Sequence, residues 1–69
     1  MKVILYSTDC PKCKLLTKKL DNKKIEYDVV NDVDIMLSKG FQTVPMLEVD
    51  GNVMDFITAN NWINEREGN

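Results

Sequence analysis

The apolar residues of this chain fall into short runs, and the period of each run predicts its secondary structure. Residues 2–6 hold a continuous apolar run, which is typical of a strand in the middle of a parallel sheet. Residues 25–30 alternate and then become apolar, which predicts a second strand parallel to the first through a right-handed crossover. Residues 46–49 predict a third strand. The Asp-Gly pair at 50–51 is a strong hairpin signal, so residues 53–54 should return as a short antiparallel edge strand.

Helical periodicity occupies the segments between these strands. Pro11 suits the first position of a helix, where its missing N–H costs nothing, and this helix should end near Asn22. Its predicted buried face carries Cys13, Leu16 and Leu20. A short second helix, capped by Asn31 or Asp32, should end at Lys39, since Gly40 supplies a stop signal.

The last apolar stripe, at about residues 56–66, predicts a closing helix with Ala59, Trp62 and Ile63 on one side. The element order is therefore βαβαββα, with four strands in a mixed sheet and three helices. Such an α/β sandwich is the minimal thioredoxin-like arrangement. With 69 residues, we expect one domain spanning 1–69, with room for one core and one site.

Composition excludes several classes of function. The chain is 43% hydrophobic and 29% charged, which is ordinary for a globular protein. Its net charge of −2 gives no electrostatic reason to expect nucleic acid or an anionic membrane as partner. The first apolar run is too short for a signal peptide, and no segment approaches the roughly 20 apolar residues of a membrane span. We therefore expect a cytoplasmic protein. We also expect it to be a monomer.

The two cysteines, Cys10 and Cys13, carry the candidate chemistry. Residues at i and i+3 of a helix have Cβ atoms about 5–6 Å apart, close to the roughly 3.5–4.5 Å that a disulfide requires. In the cytosol such a pair is more often catalytic or metal-binding than structural. Cys10, at or beside the N-cap, is placed where the helix dipole favours a thiolate, so it is the expected nucleophile. Cys13, on the apolar face, suits the resolving role.

Neighbouring charges act on Cys10 in both directions. Lys12 and Lys14 add positive potential, whereas Asp9 opposes it. Other interpretations of the pair remain open: two buried hydrophobes, a redox-regulated adaptor, or half of a zinc or iron–sulfur site. A closed zinc site needs four cysteine or histidine ligands, and the chain has no histidine and no third cysteine. A metal-binding module would therefore need two chains.

The stretch Thr43, Val44 and Pro45 is the second candidate site. One interpretation is a simple turn from loop to strand. The functional interpretation adds a cis peptide bond, which before proline costs only about 0.5–1 kcal/mol. A cis Pro45 would leave the backbone groups of Val44 unpaired and facing Cys10, where they could bind an extended substrate strand.

Taken together, these motifs resemble those of the glutaredoxin family over essentially the whole chain. The matching features are Ser-Thr-Asp-Cys-Pro-Lys-Cys at 7–13, Thr-Val-Pro at 43–45, the hairpin at 50–51 and the closing helix. The chain is especially similar to short bacterial and phage members, including glutaredoxin-like electron donors of ribonucleotide reductase. The resemblance implies a thiol–disulfide oxidoreductase without a bound cofactor. It also implies that glutathione or a flavoprotein reductase supplies electrons, and that ribonucleotide reductase is the leading protein substrate.

The resemblance further implies substrate contacts at Pro11, Lys12, residues 43–45, Asp55 and Thr58. Glutathione-using members have a glycine pair where this chain has Asp55 and Phe56. Replacing glycines with an anion and a bulky ring should weaken binding of the γ-glutamyl carboxylate of glutathione, so a protein substrate is favoured. Alternatively, Asp55 caps the last helix while Phe56 packs beneath it or forms an apolar wall for a protein substrate.

Overall fold

The computed structural model describes residues 1–66 and has the predicted order of elements. These elements are β1 (Val3–Tyr6), α1 (Pro11–Asn22), β2 (Asp28–Val30), α2 (Val33–Ser38), β3 (Met46–Val49), β4 (Asn52–Met54) and α3 (Phe56–Asn64). No helix in this part of the chain is long and apolar enough to cross a membrane.

The four strands form one mixed sheet in the order β2-β1-β3-β4. β1 runs parallel to β2 and antiparallel to β3, and β3 pairs antiparallel with β4. The β3–β4 turn forms because Asp50 and Gly51 both have positive φ angles, 50° and 90°, as a two-residue type I′ hairpin requires. Asp50 also exchanges two hydrogen bonds with the backbone of Lys2, which fixes the start of β1 beside the hairpin. The structure therefore confirms the α/β sandwich with a mixed sheet.

One face of the sheet packs against α1 and α3. Alternate residues of a strand point to one face, and here β1 and β3 direct aliphatic side chains toward the two helices. The buried cluster consists of Val3, Leu5, Leu16, Leu20, Leu47, Val49, Ala59 and Ile63. This core holds α1 rigidly against the sheet, and α1 begins at the cysteine pair.

The opposite face of the sheet is covered by the end of α2 and the residues after it. The Tyr6 hydroxyl donates to Glu48 Oε1 at 3.1 Å, and the Tyr6 ring meets the Phe41 ring edge-on at 5.0 Å between centroids. Lys39 lies 3.9 Å from the same Glu48 carboxylate oxygen. Burial raises the pKa of Tyr6, and the contact with Glu48 raises it further while Lys39 lowers it. In α2 itself, the one buried residue is Met36.

Two predicted boundaries differ from the structure by more than one residue. β2 begins at Asp28 instead of residue 25, because the Ile25 N–H is used to end α1 by donating to the Leu20 carbonyl at 3.0 Å. Lys24 adopts a positive φ of 57° in the same turn, a common way to end a helix. α3 ends at Asn64 instead of Arg66, one residue after the last buried position of its apolar stripe, Ile63.

Candidate redox site

Cys10 occupies the N-cap of α1, and its sulfur serves as the capping acceptor. The backbone of Cys10 is extended, with φ −72° and ψ 164°, and Pro11 begins the helix as predicted. The Cys13 N–H donates to Cys10 Sγ at 3.1 Å, and the Lys14 N–H donates to the Cys10 carbonyl at 2.9 Å. The sulfur therefore lies at the positive end of the helix dipole, where a thiolate is stabilised.

Cys10 and Cys13 are joined in a disulfide, with Cα atoms 4.9 Å apart. This separation lies inside the range of about 4.4–6.8 Å that disulfides adopt. The two sulfurs differ in exposure, since Cys13 is 1% exposed within the helix interface while Cys10 is partly exposed. A partner can therefore approach Cys10, whereas Cys13 is reached through Cys10.

The charged residues nearest to Cys10 in the sequence, Asp9 and Lys12, have different surroundings. Asp9 is exposed and has a positive φ of 65°. The Lys12 ammonium lies 5.4 Å from the centroid of the Phe56 ring, within cation–π range. Lys12 thus connects the turn that carries the cysteines to the start of α3, a contact that the sequence did not predict.

Asp55 is the N-cap of α3, as one of the two interpretations of this position predicted. Its carboxylate accepts from the Thr58 N–H at 2.9 Å, and its carbonyl accepts from the Ala59 N–H at 2.8 Å. The hydrogen bonds from Thr58 hold the pKa of Asp55 below its ordinary value. One of the N–H groups in the first turn of α3 is therefore already bound to a carboxylate of the chain itself.

The peptide bond between Val44 and Pro45 is cis, as the functional interpretation of this stretch required. Pro45 is fully buried, while Thr43 is exposed. Within residues 1–66 the Val44 N–H makes no backbone hydrogen bond. The Val44 carbonyl receives only a long contact of 3.5 Å from the Thr43 hydroxyl. The backbone of Val44 is thus available to an external partner.

Thr43 and Val44 also line a groove of about 220 Å³ that sequence reasoning missed. Its other lining residues are Thr8, Val33, Met36, Leu37, Phe41 and Gln42. The signal was present in the sequence, because α2 carries apolar residues on more than one side. A wider concavity of about 640 Å³ lies around Met1, Ile25 and Tyr27, and neither cysteine lines it. Within the described part of the chain, no group of three or more His, Cys, Asp or Glu side chains could hold a metal ion.

Sheet order, helix placement and a cysteine pair at the start of α1 match the predicted thioredoxin-like fold. Among solved structures, the chain is similar to NrdH-redoxin from Escherichia coli, described as a glutaredoxin-like protein with a thioredoxin-like activity profile. The two share 15% sequence identity with a TM-score of 0.71, over 88% of this chain and 93% of that one. This likeness confirms the predicted fold. No protein-family model matches the chain, and no curated protein does.

Proposed function

We propose that this protein is a thiol–disulfide oxidoreductase that reduces protein disulfides through Cys10 and Cys13. The observation that carries the proposal is the position of Cys10 Sγ at the N-terminus of α1. There the sulfur accepts a hydrogen bond from the Cys13 N–H. Cys10 is partly exposed, whereas Cys13 beside it is buried. A helix N-terminus favours the thiolate, which is the form that attacks a disulfide.

The proposed cycle transfers one electron pair. In the reduced protein, the Cys10 thiolate attacks one sulfur of the substrate disulfide. That S–S bond breaks, the leaving sulfur takes up a proton, and a mixed disulfide forms on Cys10. Cys13 then loses its proton and attacks Cys10 Sγ, which releases the second substrate thiolate to be protonated. The substrate is reduced by two electrons, and the protein is left with the Cys10–Cys13 disulfide seen in the structure.

We propose that the backbone of Val44 binds the substrate strand. Its N–H lacks a backbone partner within residues 1–66 and its carbonyl has only a weak one, which supports this role. An extended segment that pairs with both groups would be held in one orientation, as in strand addition to a sheet edge. Thr43 and the cis Pro45 on either side fix the conformation of this segment. Pro11 and Lys12 would contact the substrate from the opposite side of Cys10.

A protein substrate is favoured over glutathione mixed disulfides. The Asp55 carboxylate already binds the Thr58 N–H, so a γ-glutamyl carboxylate would meet a like charge in place of a free donor. Asp55 and Thr58 would then contact a substrate only weakly. Ribonucleotide reductase is the leading protein substrate by family resemblance. In this proposal the protein acts as a cytoplasmic monomer without a bound cofactor, and glutathione or a flavoprotein reductase returns electrons to it.

The test is a coupled reduction assay with insulin and hydroxyethyl disulfide as substrates. Electrons are supplied either from glutathione with glutathione reductase or from NADPH with thioredoxin reductase. We expect turnover in the wild type and none in Cys10→Ser. Cys13→Ser should accumulate the mixed disulfide on Cys10, visible by mass spectrometry as one substrate per chain. Turnover that survives Cys10→Ser would refute the proposed function, and the reductant that sustains turnover identifies the pathway.

A further inference from the structure

The groove beside Val44 is apolar and continuous with the proposed substrate-binding backbone. We call it the α2 groove, and it comprises Thr8, Val33, Met36, Leu37, Phe41, Gln42, Thr43 and Val44. Thr8 lies two positions before Cys10, while Thr43 and Val44 belong to the strand-binding segment. A peptide held at Val44 with its sulfur at Cys10 therefore passes this groove.

The side chains around the α2 groove are unusually exposed for their type. Val33 is 53% exposed and Leu37 is 64% exposed, and both line the groove. A contiguous apolar patch on a small protein marks an interaction surface more often than a single exposed residue does. An apolar side chain of a partner would be removed from water here.

Exposed carboxylates lie at the start of α2. Asp32 and Asp34 are both exposed, and neither forms a salt bridge within residues 1–66. At the other end of α2, Lys39 lies 3.9 Å from the Glu48 carboxylate, which offsets its charge. The patch is therefore complementary to a cationic, apolar partner segment.

We propose that the α2 groove selects a protein substrate whose reactive cysteine is flanked by an apolar side chain and by lysine or arginine. The apolar side chain would lie against Val33 and Leu37. The basic residue would lie near the carboxylates at the start of α2. Asp32 caps the helix, whereas Asp34 in its first turn has no capping role. This inference rests on the proposed function and specifies its substrate class.

The probes are four short peptides, each with one cysteine carried as a mixed disulfide with thionitrobenzoate. Attack by Cys10 on the peptide sulfur releases the coloured thiolate, which reports the rate. Each peptide combines either leucine or serine with either lysine or glutamate. The same two residues stand on both sides of the cysteine, so that the direction in which the peptide binds does not matter. Each rate is divided by the rate of the same protein with hydroxyethyl disulfide, which is too small to reach α2.

In the wild type, the second-order rate constant of the reduced protein should be roughly tenfold higher for the leucine peptides than for the serine peptides, the order expected for one apolar contact. Lysine should be preferred over glutamate at low salt, with a preference that declines as salt rises. Val33→Ser should remove the leucine preference, whereas Val53→Ser, the same change at an exposed position of β4, should not. Asp34→Asn should reduce the lysine preference, whereas Glu65→Gln at the end of α3 should not.

Four results would overturn the inference. Equal rates for all four peptides, with hydroxyethyl disulfide still reduced, would remove the groove's role and leave the oxidoreductase intact. The same selectivity in Val33→Ser and Val53→Ser would place the preference elsewhere on the surface. Sedimentation velocity that shows a dimer abolished by Val33→Ser would assign the patch to a second copy, whose α1 lysines could supply the positive charge. No reduction of any substrate would overturn the inference together with the proposed function.

Discussion

The Lys12 ammonium lies over the Phe56 ring at 5.4 Å from its centroid, and this contact joins the turn bearing the cysteines to the start of α3. Phe56 is partly buried and packs against the core cluster. Lys12 therefore rests on a ring that is itself held in place. One of the two residues between the cysteines is thus positioned from the far end of the chain.

The Lys12–Phe56 contact should be measurable as a coupling energy. Exposed cation–π pairs are worth about 0.5–1 kcal/mol, so Lys12→Ala should lower the free energy of unfolding by that amount in the wild type. In a Phe56→Leu background the same change should have almost no effect, because leucine lacks the ring. Urea denaturation of the oxidised forms gives the double-mutant cycle. Lys14→Ala, two positions along the same helix, serves as the control and should not couple to Phe56.

Asp55 should stabilise α3 in a pH-dependent way. Because its hydrogen bonds hold its pKa below the ordinary value, the folded state favours the charged carboxylate. This stabilisation is fully present above the pKa of an unfolded aspartate and is lost as pH falls through the lowered folded pKa, that is, below about pH 4. Urea midpoints measured from neutral to acidic pH should show this loss in the wild type and less of it in Asp55→Asn. Equal acid sensitivity of the two proteins would contradict the assignment.

Removing the charge of Asp55 should also increase the use of glutathione. Asp55→Asn keeps a capping side chain but takes away the anion that faces an incoming carboxylate. We expect KM for a glutathione mixed disulfide to fall severalfold, with little change for a protein disulfide such as insulin. Glu65→Gln, which removes one charge from the other end of α3, is the control. A KM that falls equally in both variants would mean that net charge, and not the helix end, governs the effect.

Removing or ionising the hydroxyl of Tyr6 should lower the stability of the fold. Tyr6→Phe leaves the ring contact with Phe41 and deletes the hydrogen bond to Glu48, a loss of about 1 kcal/mol. Because the pKa of Tyr6 is raised in the folded protein, its contribution is complete below the ordinary tyrosine pKa of about 10 and is lost as pH rises through the raised value. Absorbance titration of the phenolates should show wild-type Tyr6 ionising later than a free tyrosine, and this step should be missing from Tyr6→Phe.

Local signals in the sequence were sufficient for most of the fold. Pro11 and Asp55 mark helix starts, and Asp50 with Gly51 marks the hairpin, because each acts through its own backbone conformation or side chain. The predicted start of β2 was wrong, because the N–H of Ile25 ends the preceding helix by donating to the Leu20 carbonyl. That choice depends on how the turn closes and leaves no trace in hydrophobic alternation.

The candidate site was predicted unevenly for a similar reason. The cysteine pair is a short motif with a local mechanism, so it could be placed from sequence. The stretch at residues 43–45 could also be located, but the sequence left its cis peptide bond open. The Lys12–Phe56 contact joins residues far apart in the chain, and periodicity contains no information about it. Exposure of Val33 and Leu37 was also hidden, because a helix rich in apolar residues is normally expected to bury them.

The burial of Cys13 beneath a partly exposed Cys10 has a kinetic consequence for the proposed cycle. Every partner must form its bond with the same sulfur atom, so the protein can engage one partner at a time. Reductant and substrate must then alternate at Cys10. An excess of reductant should slow turnover by occupying Cys10 in the reduced protein, and an excess of substrate should slow it by occupying Cys10 in the oxidised protein. The rate at which such a protein works in a cell would depend on the ratio of its two partners and not only on their amounts.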